Sequence, residues 1–353
     1  MRRSHRPESN NMPTEAEEFD WDHRYDRDCP RPLPAEGDID NNWNLIKPIA
    51  NPDGAFNGGI DLVDNKVNKE LAVCKRLVAI RGCNAHNYRR WRREMLVMRK
   101  LSHPNIPYYI DGFYTPERGS IYMQPCRLGN VSDWVSLIKT NLPFKMQEYF
   151  LWYILHEVAE AVLYMQTGFK SLADASSSHR DKVKGWVSLV HGDIRPDQIF
   201  MNNTQDDSRA RALLGDFGFA QFIRPWNYTE VHDGPGAPSS SKAPEFPNEI
   251  SDATDIFGLG ATAQLYLLPS HKAKSGLARG WLTQLGVTES LDNLICCCVA
   301  VDALNRPTIW EVLKKLEWGL AEQERHGLHL SLLQGPLFRS LYPLDTAYPA
   351  YHM

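Results

Sequence analysis

The sequence changes character near residue 125, and the order of its two halves limits the folds that it can adopt. From Trp43 to residue 124, short segments rich in β-branched and aromatic residues alternate with Gly, Pro and Asn, which is typical of strands joined by turns. Beyond residue 127, apolar residues recur at the spacing of buried helices. We therefore predict an α+β protein with a small β-rich N-terminal lobe and a larger, mainly helical C-terminal lobe.

The hydrophobic pattern also predicts where the elements lie. In the N-terminal lobe the expected strands are Asn44–Ile49, Gly59–Val63, Leu71–Ile80, Pro107–Tyr114 and Ser120–Gln124, with one helix at His86–Leu101. In the C-terminal lobe the expected helices are Gln147–Met165, Thr254–Leu268, Leu291–Val301 and Thr308–Glu317. Polar residues 167–187 predict an inserted loop, and residues 202–211 predict the turn of a hairpin.

Composition and the chain ends exclude several classes of protein. Residues 1–40 are polar and aperiodic, which predicts a disordered N-terminal tail, and residues 319–353 form a C-terminal extension. The formal net charge of −4 gives no positive field, so we expect neither a nucleic-acid nor a membrane partner. Seven cysteines without a Cys-x-x-Cys pair, and no apolar signal segment, predict a cytoplasmic or nuclear protein. The sequence does not determine the oligomeric state.

Two acidic motifs carry the strongest chemical signal. His191-Gly192-Asp193 is followed by Asp216-Phe217-Gly218, and both segments are expected to lie in loops. One carboxylate can accept a hydroxyl proton, while the other can hold Mg²⁺ against phosphate oxygens. The spacing therefore suits the transfer of a phosphoryl group from a metal-bound nucleotide.

With these residues the sequence resembles the eukaryotic protein kinase family, and further family motifs follow in the family's order. They are Leu71-Ala72-Val73-Cys74-Lys75, Arg93-Glu94, Leu101-Ser102-His103-Pro104-Asn105-Ile106, Ala243-Pro244-Glu245, Asp255-Ile256-Phe257-Gly258-Leu259-Gly260 and Arg306-Pro307-Thr308. The resemblance implies a two-lobed protein-kinase fold over residues 43–318, with an N-lobe at 43–124 and a C-lobe at 127–318. It also implies ATP and Mg²⁺ as cofactors, and the transfer of the γ-phosphate to Ser or Thr hydroxyls of a protein substrate.

The resemblance further implies roles for individual residues. Asp193 would orient and deprotonate the acceptor hydroxyl, and Arg195 would offer positive charge to the phosphoryl group. The remaining catalytic and metal-binding residues are Lys75 on the nucleotide phosphates, Glu94 as its ion-pair partner, and Asp216 and Gln198 as metal ligands. The implied nucleotide-binding residues are Gly54, Phe56, Gly58, Val73, Lys75, Met123 as gatekeeper, and Gln124 and Cys126 of the hinge. Arg306 would pair with Glu245.

Three departures from the family pattern leave alternatives open. Gln198 replaces Asn, and its extra methylene could weaken the second metal site. The glycine-rich loop lacks its first glycine and carries an inserted residue, and Gly192 replaces the Arg that reads an activating phosphate. A pseudokinase that acts as a binding or scaffold module is therefore the main alternative. A small-molecule phosphotransferase is disfavoured, because those proteins generally lack the Ala243-Pro244-Glu245 motif.

Overall fold

The computed structural model describes residues 42–50, 57–78, 84–114, 118–178, 181–203, 210–223, 242–246, 249–268 and 273–328. The predicted N-terminal tail, the extension beyond residue 328, and the predicted loop residues Gly54 and Phe56 lie outside the described residues.

A five-stranded antiparallel sheet forms the N-terminal lobe, in the strand order β1-β2-β3-β5-β4. Its strands are β1 (Trp43–Ala50), β2 (Asn57–Asn65), β3 (Leu71–Val78), β4 (Tyr109–Tyr114) and β5 (Arg118–Met123). Helix α1 spans Asn84–Lys100. Every strand predicted for this lobe is present, as is its helix, with ends shifted by a few residues.

The side chains of strand β3 alternate between the two faces of the sheet. Ala72 and Cys74 are fully buried on one face, in a cluster where Trp43 and Tyr122 stack with ring centroids 4.7 Å apart. Because side chains alternate along a strand, Lys75 lies on the other face, which the buried apolar residues of α1 cover. This alternation directs Lys75 toward α1 and the C-terminal lobe.

The C-terminal lobe is built around α3, a helix that is buried along most of its length. Its helices are α2 (Val131–Asn141), α3 (Phe144–Thr167), α4 (Leu172–Ser178), α5 (Asp252–Leu267), α6 (Glu289–Cys298) and α7 (Ile309–Arg325). Helices α5 and α7 both pack against α3. In the described part of the chain, none of the helices combines the length and apolarity needed to cross a bilayer.

Two predictions for this lobe are wrong. The loop predicted at 167–187 contains α4, because Leu172 and Ala175 are buried one helical turn apart. The last helix was expected at Thr308–Glu317, but it continues to Arg325. Glycine is unfavourable in the interior of a helix. At Gly319 the Trp152 ring fills the space that a side chain would need, because a Cβ there would lie 2.6 Å from Trp152 Cε3.

Short antiparallel pairs support the loops that carry the two acidic motifs. Strand β6 (Leu189–Val190) pairs with β9 (Gln221–Phe222), and β7 (Ile199–Asn203) pairs with β8 (Ala210–Leu214). The predicted hairpin around residues 202–211 is therefore confirmed, although residues 204–209 of its turn lie outside the described residues. Asp193 follows β6 and Asp216 follows β8, so the two motifs leave neighbouring strand pairs.

The predicted ion pair between Arg306 and Glu245 is confirmed. Arg306 donates through both terminal nitrogens to the two carboxylate oxygens of Glu245, at 2.6 and 2.7 Å. Its guanidinium also donates to the backbone carbonyls of Ala253, Ala300 and Val301, and its side chain is fully buried. The bidentate geometry fixes the segment around Glu245 onto the C-terminal lobe.

Acidification is expected to destabilise the fold through buried neutral histidines. His103 Nε2 donates to the Lys170 carbonyl at 2.9 Å and Nδ1 accepts from the Asn105 N–H at 3.1 Å, which requires the neutral ring. Burial lowers the pKa of His103 to about 4. The unfolded chain, with an ordinary pKa near 6.5, therefore binds a proton first, and the free energy of unfolding falls as the pH drops from about 6.5 to about 4.

We expect His103→Asn to lose part of this pH dependence, on the order of 3 kcal/mol between pH 7 and pH 4. Urea unfolding at a series of pH values measures it. His326→Asn, which changes an exposed histidine at the end of α7, is the matched control. An unchanged pH dependence in His103→Asn would contradict the assignment.

Candidate active site

A partly buried lysine joins the two lobes through two carboxylates. Lys75 Nζ lies 2.6 Å from Glu94 Oε1 on α1 and 2.8 Å from Asp216 Oδ1 after β8. Burial favours the neutral amine, but the charges of Asp216 and Glu94 outweigh it and raise the pKa of Lys75. Lys75 is therefore a permanent cation here. The predicted Lys75–Glu94 pair is confirmed, and the contact with Asp216 was not predicted.

The backbone at Asp216 takes an unusual conformation. Its φ of 60° and ψ of 74° are in the left-handed region, and its side chain accepts a hydrogen bond from the Gly218 N–H at 3.4 Å. Phe217, the next residue, is fully buried, with its ring centroid 5.1 Å from that of His191. Burial of Phe217 thus directs Asp216 toward Lys75, while about a third of the Asp216 side chain remains exposed, 34%. Left-handed non-glycine residues concentrate at functional sites.

The loop that follows β6, at residues 191–198, corresponds to the expected catalytic loop and is held by a buried carboxylate. The N–H groups of His191 and Gly192 donate to Asp255 Oδ2 and Oδ1 on α5, at 2.7 and 2.9 Å. Burial raises the pKa of Asp255 to about 7, against the lowering effect of these two hydrogen bonds. Burial also lowers the pKa of His191. Its Nε2 donates to the Gly215 carbonyl at 3.0 Å and its Nδ1 accepts from the Asp193 N–H at 3.3 Å, which is the pattern of a neutral ring.

Asp193 is buried and keeps one oxygen unpaired. Its Oδ2 lies 3.3 Å from Arg195 Nε, and Arg195 also reaches Asp197 Oδ2 at 3.2 Å. In the part of the chain that the structure describes, Asp193 Oδ1 has no hydrogen-bond partner, although the atom is buried. A buried acceptor without a partner is costly. This oxygen is therefore suited to accept a proton or hydrogen bond from a bound ligand.

Gln198 and Asp216 supply oxygen donors on the two facing loops. Gln198 ends the turn Pro196–Gln198, and its backbone carbonyl accepts from the Gly215 N–H at 2.9 Å, which ties the two loops together. The Gln198 side chain is 8% exposed. A carboxylate and an amide oxygen fit a hard cation such as Mg²⁺. The donor set is thus chemically compatible with the implied metal.

Of the residues predicted for nucleotide binding, Gly58, Val73, Met123, Gln124 and Cys126 lie within the described residues, as does Lys75. Val73 on β3 pairs with Met123 at the end of β5. The Gln124 N–H donates to the Tyr108 carbonyl at 3.0 Å, which fixes the chain between the lobes. Burial raises the pKa of Cys126 to about 12, so this thiol is protonated and unreactive at neutral pH. Gly58 lies within β2.

Two further cleft residues were missed. Ile60 on β2 pairs directly with Lys75, so their side chains share a face of the sheet. Phe200, two residues after Gln198, lies against Gly215: a Cβ there would be 2.9 Å from the Phe200 ring. The signal for Ile60 was its position two residues after Gly58. For Phe200 no local pattern exists, because its contact partner is fifteen residues away in the chain.

Comparison with known proteins identifies the domain. The family model of the protein kinase domain matches residues 54–318. Serine/threonine-protein kinase Nek2 of Mus musculus is 24% identical over 258 residues, which are 67% of this chain and 52% of Nek2. Serine/threonine-protein kinase Nek1 of Toxoplasma gondii is 22% identical over 302 residues, which are 80% of this chain and 18% of Nek1.

Serine/threonine-protein kinase ATG1b of Arabidopsis thaliana is 23% identical over 138 residues, which are 39% of this chain and 16% of ATG1b. The matched segments thus span about half of these relatives or much less. This chain contributes its protein kinase domain to the likeness.

Gly215→Ala is expected to destabilise the protein by about 1–3 kcal/mol, because the added methyl group would overpack the Phe200 ring. Phe200→Leu in the same chain should recover part of the loss by removing the ring edge. Urea unfolding of the wild type, both single variants and the double variant measures this coupling. Additive effects, with no recovery in the double variant, would show that the two side chains do not compete for space.

Proposed function

Because the chain belongs to the protein kinase family, we propose that it is an active kinase that transfers the γ-phosphoryl group of ATP to Ser or Thr hydroxyls of protein substrates. The observation that supports activity best is the closed ion-pair chain from Glu94 through Lys75 to Asp216. These two ion pairs connect the two lobes at the point where the phosphates would bind. Asp193, on the loop after β6, has a buried Oδ1 with no hydrogen-bond partner among the described residues.

The residues divide the work of phosphoryl transfer among them. When bound, ATP with Mg²⁺ supplies the phosphoryl group and neutralises its charge. Lys75, held by Glu94, would bind the phosphates, while Asp216 and Gln198 would hold the metal. Arg195 forms an ion pair with Asp193 Oδ2. Oδ1 would accept the proton of the substrate hydroxyl, whose oxygen becomes the nucleophile.

The preference for Ser and Thr over Tyr rests on two observations. Arg195-Pro196 resembles the Lys-Pro that the Ser/Thr group of the family carries, and Arg retains the positive charge. The relatives Nek1 and Nek2 are serine/threonine-protein kinases by name. Phosphoamino acid analysis of labelled acceptors tests the preference, and label found mainly on Tyr would contradict it.

One residue favours a second function, that of a pseudokinase that binds partners without transferring phosphate. Gln198 stands where the family has Asn, and its side chain is one methylene longer. Mg²⁺ tolerates little departure from octahedral geometry, so a displaced amide oxygen could leave the metal site incomplete. The experiments below separate this function from the proposed one.

Asp193→Asn should lower kcat by about 10²- to 10⁴-fold, because the amide cannot accept the proton while it keeps the shape of the side chain. Radiolabelled ATP with Mg²⁺ or Mn²⁺ and generic protein acceptors measures the rate. Glu322→Gln, on the surface of α7, is the control and should match the wild type. A wild-type rate no higher than that of Asp193→Asn would overturn the proposed activity.

Gln198→Leu, which removes the amide oxygen, should raise the Mg²⁺ concentration at half-maximal rate by about tenfold or more, whereas Gln198→Asn should retain a working site. A metal titration of the rate at saturating ATP measures this effect. Transfer seen only in Gln198→Asn, and not in the wild type, would instead establish the pseudokinase.

A further inference from the structure

Gly192 stands where the family carries an arginine in the catalytic loop. Its φ is 76°, a conformation that favours glycine, so another residue would be strained here. A Cβ would lie 3.3 Å from the Phe219 carbonyl oxygen and 3.9 Å from Phe246 Cε2. The space beside Gly192 is therefore lined by residues from outside the loop.

Lys242, from further along the chain, lies close to the rings of both phenylalanines. Lys242 Nζ lies 4.0 Å from the ring centroid of Phe219 and 4.2 Å from that of Phe246. Lys242 is half-buried, as are both phenylalanines. A cation close to two aromatic faces, with part of its hydration removed, is a favourable cation–π arrangement. We call these three residues the Lys242 clamp.

Each ring of the Lys242 clamp belongs to a firmly held part of the domain. Phe219 ends the turn that begins beside Asp216, and the next two residues after Ala220 form β9, paired with β6. Phe246 packs with Phe257 and Val299 of the C-terminal lobe. It directly follows Glu245, which Arg306 holds. The clamp thus connects the segment after Asp216 with the segment around Glu245.

We propose that Lys242 is a positioning residue. Its ammonium lies between Phe219 and Phe246 and holds both ends of the segment between Asp216 and Glu245 beside the catalytic loop. In the family, an arginine–phosphate contact serves this purpose. Phe219 is only three residues from Asp216, so holding its ring restricts the orientation of the Asp216 carboxylate. The test of this inference by kcat rests on the proposed kinase activity, whereas its test by amide hydrogen exchange does not.

The test compares Lys242→Met, Lys242→Arg and Phe219→Leu with the wild type. Methionine keeps the length and apolar stem without the charge, and arginine keeps the charge. We expect Lys242→Met and Phe219→Leu to lower kcat by about tenfold, and Lys242→Arg to stay within about threefold of the wild type. Lys274→Met is the matched control, because this exposed lysine has a ring 5.7 Å away and lies far from the catalytic loop in sequence. It should have no effect.

Amide hydrogen exchange gives a second readout that does not require activity. In Lys242→Met, the amides of Phe219, Gln221 and Phe246 should exchange about tenfold faster, and Lys242→Arg should restore their protection. If the wild type transfers no phosphate, the proposed function fails, and exchange alone decides on the clamp. If Lys242→Met does not fold, Phe219→Leu carries the same expectation.

The inference is overturned if Lys242→Met matches the wild type in both kcat and exchange, or if Lys242→Arg is as impaired as Lys242→Met. Phosphatase treatment of the wild type completes the test. If the cation–π contacts take the place of a phosphate contact, the rate after phosphatase treatment should stay within about twofold of the untreated rate. The reason is that no guanidinium is present at position 192 to bind a phosphate group. A loss of most of the activity would contradict that part of the inference.

Discussion

A single buried carboxylate supports the catalytic loop. Asp255 lies on α5, which is buried along nearly its whole length, and accepts the N–H groups of His191 and Gly192. Buried N–H groups without partners would be costly, so the loop adopts the conformation in which both converge on one side chain. The positive φ of Gly192 permits this convergence. The two hydrogen bonds to α5 thereby restrict the conformation of the loop that carries Asp193.

From Asp255, a continuous series of polar contacts runs to the N-terminal lobe. The His191 ring meets the Gly215 carbonyl, Asp216 follows directly in the chain, and Lys75 joins Asp216 to Glu94. Each contact is partly or fully buried, so the electrostatic interactions are less screened than they would be at the surface. Relative movement of the lobes would have to separate Lys75 from one of its two carboxylates. The geometry of the site is therefore coupled to the packing of α1 on the sheet.

Local patterns predicted most elements of the fold, and the exceptions have identifiable causes. Helix α2 was not predicted, although Val131, Trp134 and Ile138 are buried at helical spacing and Asn130 caps its first turn through the Asp133 N–H. Its eleven residues gave only a short periodic signal. Helix α7 is longer than predicted. Glycine weakens a helix locally, but the Trp152 ring packs over Gly319 within α7.

The sequence by itself determined the identity of the motif residues and the order of the two lobes, because these depend on residue types at fixed spacing and on the periods of strands and helices. The pairing of Lys75 with Glu94 was implied by the resemblance to the protein kinase family. The tertiary structure alone decided which oxygens are paired. It joined Asp216 to Lys75, left Asp193 Oδ1 without a partner in the described part of the chain, and set Lys242 between Phe219 and Phe246. Such contacts join residues distant in sequence, and their distances depend on how whole elements pack, which no local pattern encodes.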